Sequence, residues 1–192
     1  MKTLLALLLL ISSLSWGADF QKGLTAAKQG DYATAIKEWT PIAEQGDAAA
    51  QFNLGVIYDN GYGVEQSYKT AAKWYTLAAE QGDVSAQYNL GHMYSNGEGV
   101  VQNYKTAAKW YTLAAEQGDV SAQYNLGLLY GKGQGVIQDN IYAHMWWNIA
   151  ASSGHSNATE NRTIVEEIMT NADISKAQEL ARKCVNKNYK DC

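Results

Sequence analysis

The fold is decided by a stretch of sequence that occurs twice. Residues 68–91 read YKTAAKWYTLAAEQGDVSAQYNLG, and residues 104–127 repeat those 24 letters without a change, 36 positions later. Weaker copies lie a further 36 positions away in both directions without insertion, and the Asn-Leu-Gly of positions 53–55 belongs to one of them. A fixed period of this length is typical of a solenoid, in which each unit buries its apolar face against its neighbours.

Each unit is predicted to form two helices separated by a glycine-containing loop. In the first helix of one unit, Ala50, Leu54 and Ile57 or Tyr58 recur at the spacing of one helical face. The second helix is predicted to begin after Ser67 as its N-cap. The residues predicted to share its buried face are Tyr68, Ala71, Tyr75 and Ala78.

A glycine recurs inside the first helix of every unit, at positions 55, 91 and 127. Because glycine in a helix interior costs about 1 kcal/mol relative to alanine, its recurrence predicts a neighbouring helix that approaches too closely for a side chain. Gly82 and Asp83 then predict a left-handed helix end and the N-cap of the next helix.

Composition excludes several function classes. The chain has 192 residues, 46% of them apolar, and a formal net charge of −4, which argues against a nucleic-acid partner.

The first 17 residues combine Lys2, an apolar run at 4–11 and the small residues Ser15 and Gly17, which predicts a signal peptide cleaved before Ala18. That run is too short to span a bilayer, so no membrane span is expected after cleavage.

The motif A-E-Q-G-D-x-x-A-Q-x-N-L-G, followed by Y-x-x-A-x-x-W-Y-x-x-A, closely resembles the Sel-one-like repeat family, a relative of the tetratricopeptide repeat. Three full units fit the pattern, at 47–82, 83–118 and 119–154. Residues 18–46 resemble a tetratricopeptide hairpin that caps the array, and residues 155–192 resemble the carboxyl-terminal capping helices and tail of exported bacterial members.

The resemblance implies an all-α, right-handed solenoid of helical hairpins with a closing helix. It also implies a non-catalytic scaffold or regulator that binds a protein or peptide in the bacterial periplasm, or as a secreted protein, and that is a monomer. Two alternatives stay open: a hydrolase acting on the cell wall or on β-lactams, and a structural repeat that associates with itself.

No catalytic, cofactor or metal site is predicted. The glycine-rich segment 131–136 lacks the Lys-Ser/Thr of a phosphate-binding loop and occupies the position of a repeat loop. His92 stands where Val56 and Leu128 stand in the other units, which indicates a substitution on a repeat face. The histidines at 144 and 155 have no acidic or cysteine partner at ligand spacing, and no serine stands three residues before a lysine.

The resemblance to tetratricopeptide proteins points to the concave face of the first helices as the binding surface. The residues predicted there are Phe52, Asn53, Val56, Tyr88, Asn89, His92, Tyr124, Asn125 and Leu128. Asparagine can hydrogen-bond a peptide backbone and aromatic rings supply rigid apolar area. The alternative is that the asparagines hold adjacent hairpins together and the aromatics are packing.

The carboxyl-terminal region is predicted to close the array. Ile164, Val165, Ile168 and Met169 predict one apolar stripe, and Ala177 and Cys184 lie on the predicted buried face of a final helix. An exported protein meets an oxidising compartment, so the only two cysteines, Cys184 and Cys192, are expected to form a disulfide like the bridges of cysteine-rich members.

Overall fold

Ten helices and their connecting turns account for the architecture in the computed structural model, which describes residues 19–192. The predicted signal peptide therefore lies outside the described residues. The helices are α1 (Phe20–Lys28), α2 (Tyr32–Glu44), α3 (Ala48–Asn60), α4 (Tyr68–Glu80), α5 (Val84–Asn96), α6 (Tyr104–Ala115), α7 (Val120–Lys132), α8 (Asn140–Ser152), α9 (Ser156–Glu166) and α10 (Asn171–Asn186). Consecutive helices from α1 to α9 pack as antiparallel neighbours, and α10 returns to pack on α8, which gives the predicted all-α solenoid.

Side-chain caps explain where the helices of each unit begin. The carboxylates of Asp47, Asp83 and Asp119 each accept a hydrogen bond from the backbone N–H three residues later, at 2.7 Å. In the last copy of this motif His155 replaces aspartate, and its Nδ1 accepts the equivalent bond from Ala158 at 3.3 Å. These bonds satisfy amide groups that a helix start leaves unpaired, so the repeat fixes helix starts as well as the core.

The recurrent glycine of the first helix is explained by an aromatic ring. A Cβ added at Gly91 would lie 2.7 Å from a ring carbon of Tyr111, and one at Gly55 would lie 2.5 Å from the ring of Tyr75. Gly127 makes the same approach to Trp147. The predicted close approach is therefore confirmed, and its partner is a side chain of the second helix in the same unit.

A buried glutamine clamps each pair of neighbouring units. Gln87 donates from Nε2 to the carbonyl of Ala79 at 3.1 Å and accepts on Oε1 from Gln117 at 2.8 Å. Gln51 makes the same pair with Gln81 at 2.7 Å. The bonds between glutamines join residues 30 positions apart within one unit, and the bond from Gln87 to Ala79 reaches the preceding unit, so together they fix the register between units.

Two details of the predicted packing are wrong. Tyr68 is 39% exposed, because it stands at the very start of α4, whereas Tyr75 and Ala78 are buried as predicted. In the predicted carboxyl-terminal stripe Val165 is buried, but Ile164 and Ile168 are 56% and 74% exposed. Only one side of α9 therefore packs against the preceding unit.

The final helix closes the array as predicted. Ala177, Ala181 and Cys184 of α10 are buried, and Cys184 is joined to Cys192 by a disulfide with a Cα–Cα distance of 5.2 Å. The bridge ties the tail to α10, and the ring of Tyr189 lies against Gly118.

Candidate functional site

The predicted binding residues lie on α3, α5 and α7, the first helices of the three units. We call the surface formed by these helices and α9 the first-helix face. Most of the predicted residues are half-buried, and His92 is exposed. A further shift of 36 positions leads from Asn125 and Leu128 to Asn161 and Ile164 on α9. The same periodicity could have placed these two residues on the binding face, although neither is among the predicted binding residues.

The aromatic residues of the first-helix face also serve as packing. The ring centroids of Phe52 and Tyr75 are 5.9 Å apart, and those of Tyr88 and Tyr111 are separated by the same distance. Tyr124 stacks on His155 at 4.4 Å. Burial raises the pKa of Tyr88, with a further increase from Asp119. One side of each of these rings therefore packs against its neighbour, and the half-buried ring is still partly exposed on the first-helix face.

The asparagines of the face are partly engaged with neighbouring units. Asn161 donates from Nδ2 to the hydroxyl oxygen of Tyr124 at 3.4 Å, across the junction between α9 and α7. Asn125 donates to the carbonyl of Ser121 within its own helix at 3.0 Å. Their carbonyl oxygens remain as acceptors, so an amide on this face can support the array and still contact a ligand.

Two cavities lie on the face, one on each side of α7. The first, of about 290 Å³, lies between α5 and α7 and includes His92, Asn125 and Leu128 in its lining. The second, of about 370 Å³, lies between α7 and α9 and includes Leu128, Lys132, Trp147 and Ile164. Leu128 and Lys132 line both cavities, which therefore lie on either side of the same edge of α7, and we call the two cavities together the groove.

Negative charge lies beside His92, one of the residues that line the α5–α7 cavity. Asp59 accepts a hydrogen bond from the hydroxyl of Tyr75 at 3.2 Å, and burial raises the pKa of its carboxyl group, with Glu98 acting in the same direction. Glu98 lies 3.4 Å from Nδ1 of His92.

A polar contact that sequence reasoning missed lies between α8 and α9. His144, fully buried, places Nε2 at 2.7 Å from Oε1 of Glu166. The two residues are 22 positions apart, so spacing along the sequence carries no signal for their contact. Arg162 reaches across the same junction and donates to Asn148 at 2.9 Å.

The described residues hold no group of three or more histidines, cysteines, aspartates and glutamates that could bind a metal ion. None of the helices in residues 19–192 combines the length and apolarity that crossing a bilayer requires. Both described cysteines are in the disulfide, which leaves no free thiol there.

Repeats that stack in register and expose a grooved face define a helical repeat scaffold of the kind typical of protein–protein interaction. The model of the Sel1 repeat family matches residues 48–83, 84–119 and 120–155, and the chain belongs to this family. The family is generally non-catalytic. No curated protein matches the sequence.

Two solved structures share the fold. A Sel1 repeat protein from Oxalobacter formigenes is 29% identical, with a TM-score of 0.73, over 86% of this chain and 75% of that one. A protective antigen present in uropathogenic Escherichia coli strains, which displays an SLR fold, is 32% identical, with a TM-score of 0.74. The match covers 87% of this chain but only 41% of that antigen, so this chain corresponds to less than half of it.

Proposed function

We propose that this protein is a non-catalytic scaffold or regulator that binds a protein or peptide segment along the first-helix face. The observation that carries the proposal is the groove between α5 and α9, whose two cavities share Leu128 and Lys132 in their linings. The membership of a family typical of protein interaction supports it.

The chemistry of the groove suits an extended segment. The carbonyl oxygens of Asn125 and Asn161 are acceptors for peptide N–H groups, a contact that does not depend on the partner's side chains. The half-buried Tyr88 and Tyr124 are already fixed by packing, so they offer apolar area at little further cost in conformational entropy.

We also propose that the protein is exported to the periplasm, where it meets its partner as a monomer. The apolar run at 4–11 and the disulfide between Cys184 and Cys192 support export. The mass of the protein recovered from its native cells tests this point. A chain that begins at Ala18 with both sulfurs oxidised is expected, and a chain that retains the first 17 residues contradicts export by this route.

Site-specific photo-crosslinking tests the binding face without disturbing its packing. A benzophenone side chain replaces His92, which is exposed on the first-helix face, and in a matched variant it replaces Leu77, which is 43% exposed on the second helix α4. In native extract the variant at 92 is expected to give a discrete adduct that mass spectrometry assigns to one protein. Equal adducts at 92 and 77, or none at 92, contradict the proposal.

A further inference from the structure

The groove changes character where it reaches α9. Ile164 stands where the preceding units carry His92 and Leu128, and Ile168 stands where they carry Asn96 and Lys132. Two large aliphatic side chains thus occupy exposed positions of the last unit, Ile164 on α9 and Ile168 in the turn that follows it. They are 56% and 74% exposed, which leaves an apolar patch open to solvent.

These two residues form one wall of the α7–α9 cavity. Leu128 and Trp147 line the same cavity, whose volume of about 370 Å³ admits a large side chain. The tail of the chain does not cover it, because the disulfide at Cys184 holds the tail on α10 and Tyr189 lies against Gly118. The patch is therefore available to another molecule.

The other end of the groove, near α5, favours a partner residue that carries positive charge. Asp59 and Glu98 place two carboxylates near His92, which lines the α5–α7 cavity. A partner segment that crosses both cavities meets apolar surface on one side of α7 and negative charge beside the cavity on the other side.

On the basis of the proposed function, we propose that the partner is a protein segment with a large aliphatic or aromatic residue, which enters the α7–α9 cavity, and a basic residue that pairs with Asp59 and Glu98.

The test uses a phage-displayed library of random linear peptides selected on the whole protein. Selected peptides are synthesised with a fluorophore, and their affinities are measured by anisotropy against the wild type, Ile168→Asp and Ile137→Asp. Ile137 is the matched control, since it is 90% exposed and lies in a loop. We expect a shared large apolar residue and a shared basic residue in the selected sequences. Ile168→Asp should weaken binding at least tenfold while Ile137→Asp leaves it unchanged.

The outcomes separate this inference from the proposed function. If peptides bind and crosslink at position 92 but are indifferent to Ile168→Asp, the apolar anchor is wrong and the binding face stands. If no peptide is selected and position 92 also gives no adduct in native extract, both proposals are wrong. A dimer in light scattering that Ile168→Asp dissociates assigns the patch to a second copy of the chain and overturns the inference.

Discussion

The junction between the second and third repeats differs in chemistry from the junction between the third repeat and α9. At the first junction, four repeat positions carry small or apolar residues: Ala108, Thr112, Leu126 and Tyr130. One period later, the same four positions carry His144, Asn148, Arg162 and Glu166. All four residues lie at the contact between α8 and α9. The last junction therefore has polar pairs where the preceding junction has mainly small or apolar side chains.

Two polar groups of this last junction lack hydrogen-bond partners. Arg162 donates to Asn148, and His144 contacts Glu166, but Nδ1 of His144 and Nε of Arg162 are buried with no hydrogen-bond partner. Buried polar groups stabilise a fold only when their partners are in place, whereas apolar packing needs no such pairing. We therefore expect the repeats to supply most of the stability, while the last junction orients α9 and thereby the wall of the α7–α9 cavity.

The largest effect is expected where the repeated packing is closest. Gly91→Val places a branched side chain against the buried ring of Tyr111 and should lower the free energy of unfolding by about 3 kcal/mol. Ser85→Val is the control, since it adds the same residue at an exposed position of α5. Urea unfolding followed by circular dichroism measures both. An unchanged midpoint for Gly91→Val contradicts the close packing described for the repeats.

The disulfide tests how far the carboxyl-terminal end depends on a covalent bond. Cys184→Ser opens a loop of eight residues, which should cost about 2–3 kcal/mol by chain entropy. Hydrogen exchange should speed up in α10, while α5 and α6 keep their protection. Alkylation of the native protein without reductant checks the bond itself, and two adducts by mass contradict it.

The repeated part of the molecule was predictable from the sequence, and the last junction was not. Two identical 24-residue copies revealed the period, and the glycine at 91 and the aspartate at 83 revealed a close approach and a helix start. The contact between His144 and Glu166 depends on how α9 is placed on α8, which no local pattern encodes. The apolar stripe at 164–169 was misjudged because apolarity predicts burial, whereas here part of it lines a groove.

A smaller effect is expected when the polar junction is altered. Glu166→Gln removes the charge that faces His144 and Arg162, and should destabilise the protein by about 1–2 kcal/mol. A fourfold variant restores the residue types of the repeat junction through the substitutions His144→Ala, Asn148→Thr, Arg162→Leu and Glu166→Tyr. This variant should be at least as stable as the wild type, because apolar packing replaces polar groups that lack partners.

Thermal unfolding of these two variants decides whether the polar residues of the last junction stabilise the protein or serve to orient α9. If the fourfold variant is much less stable than the wild type, the polar residues contribute more than apolar packing would, and the comparison between the junctions is wrong.

The smallest effect is expected in the third unit, where the buried glutamine lacks the second glutamine that the other units supply. Gln123 is equivalent to Gln87, but its Oε1 is buried without a partner because Ser153 stands where Gln117 would be repeated. Ser153→Gln should donate to that oxygen and stabilise the protein by about 0.5–1.5 kcal/mol. Ser153→Glu has the same length but no donor, so it should give no gain. Equal midpoints for the two variants contradict the clamp.

The central claim is that the first-helix face, including α9, is the binding surface of this scaffold. Hydrogen–deuterium exchange of the protein, alone and with a partner identified by crosslinking, tests it most directly. We predict slower exchange in 84–96, 120–132 and 156–168 on binding, with no change in 68–80. Protection confined to the second helices, or absent from 156–168, contradicts the account.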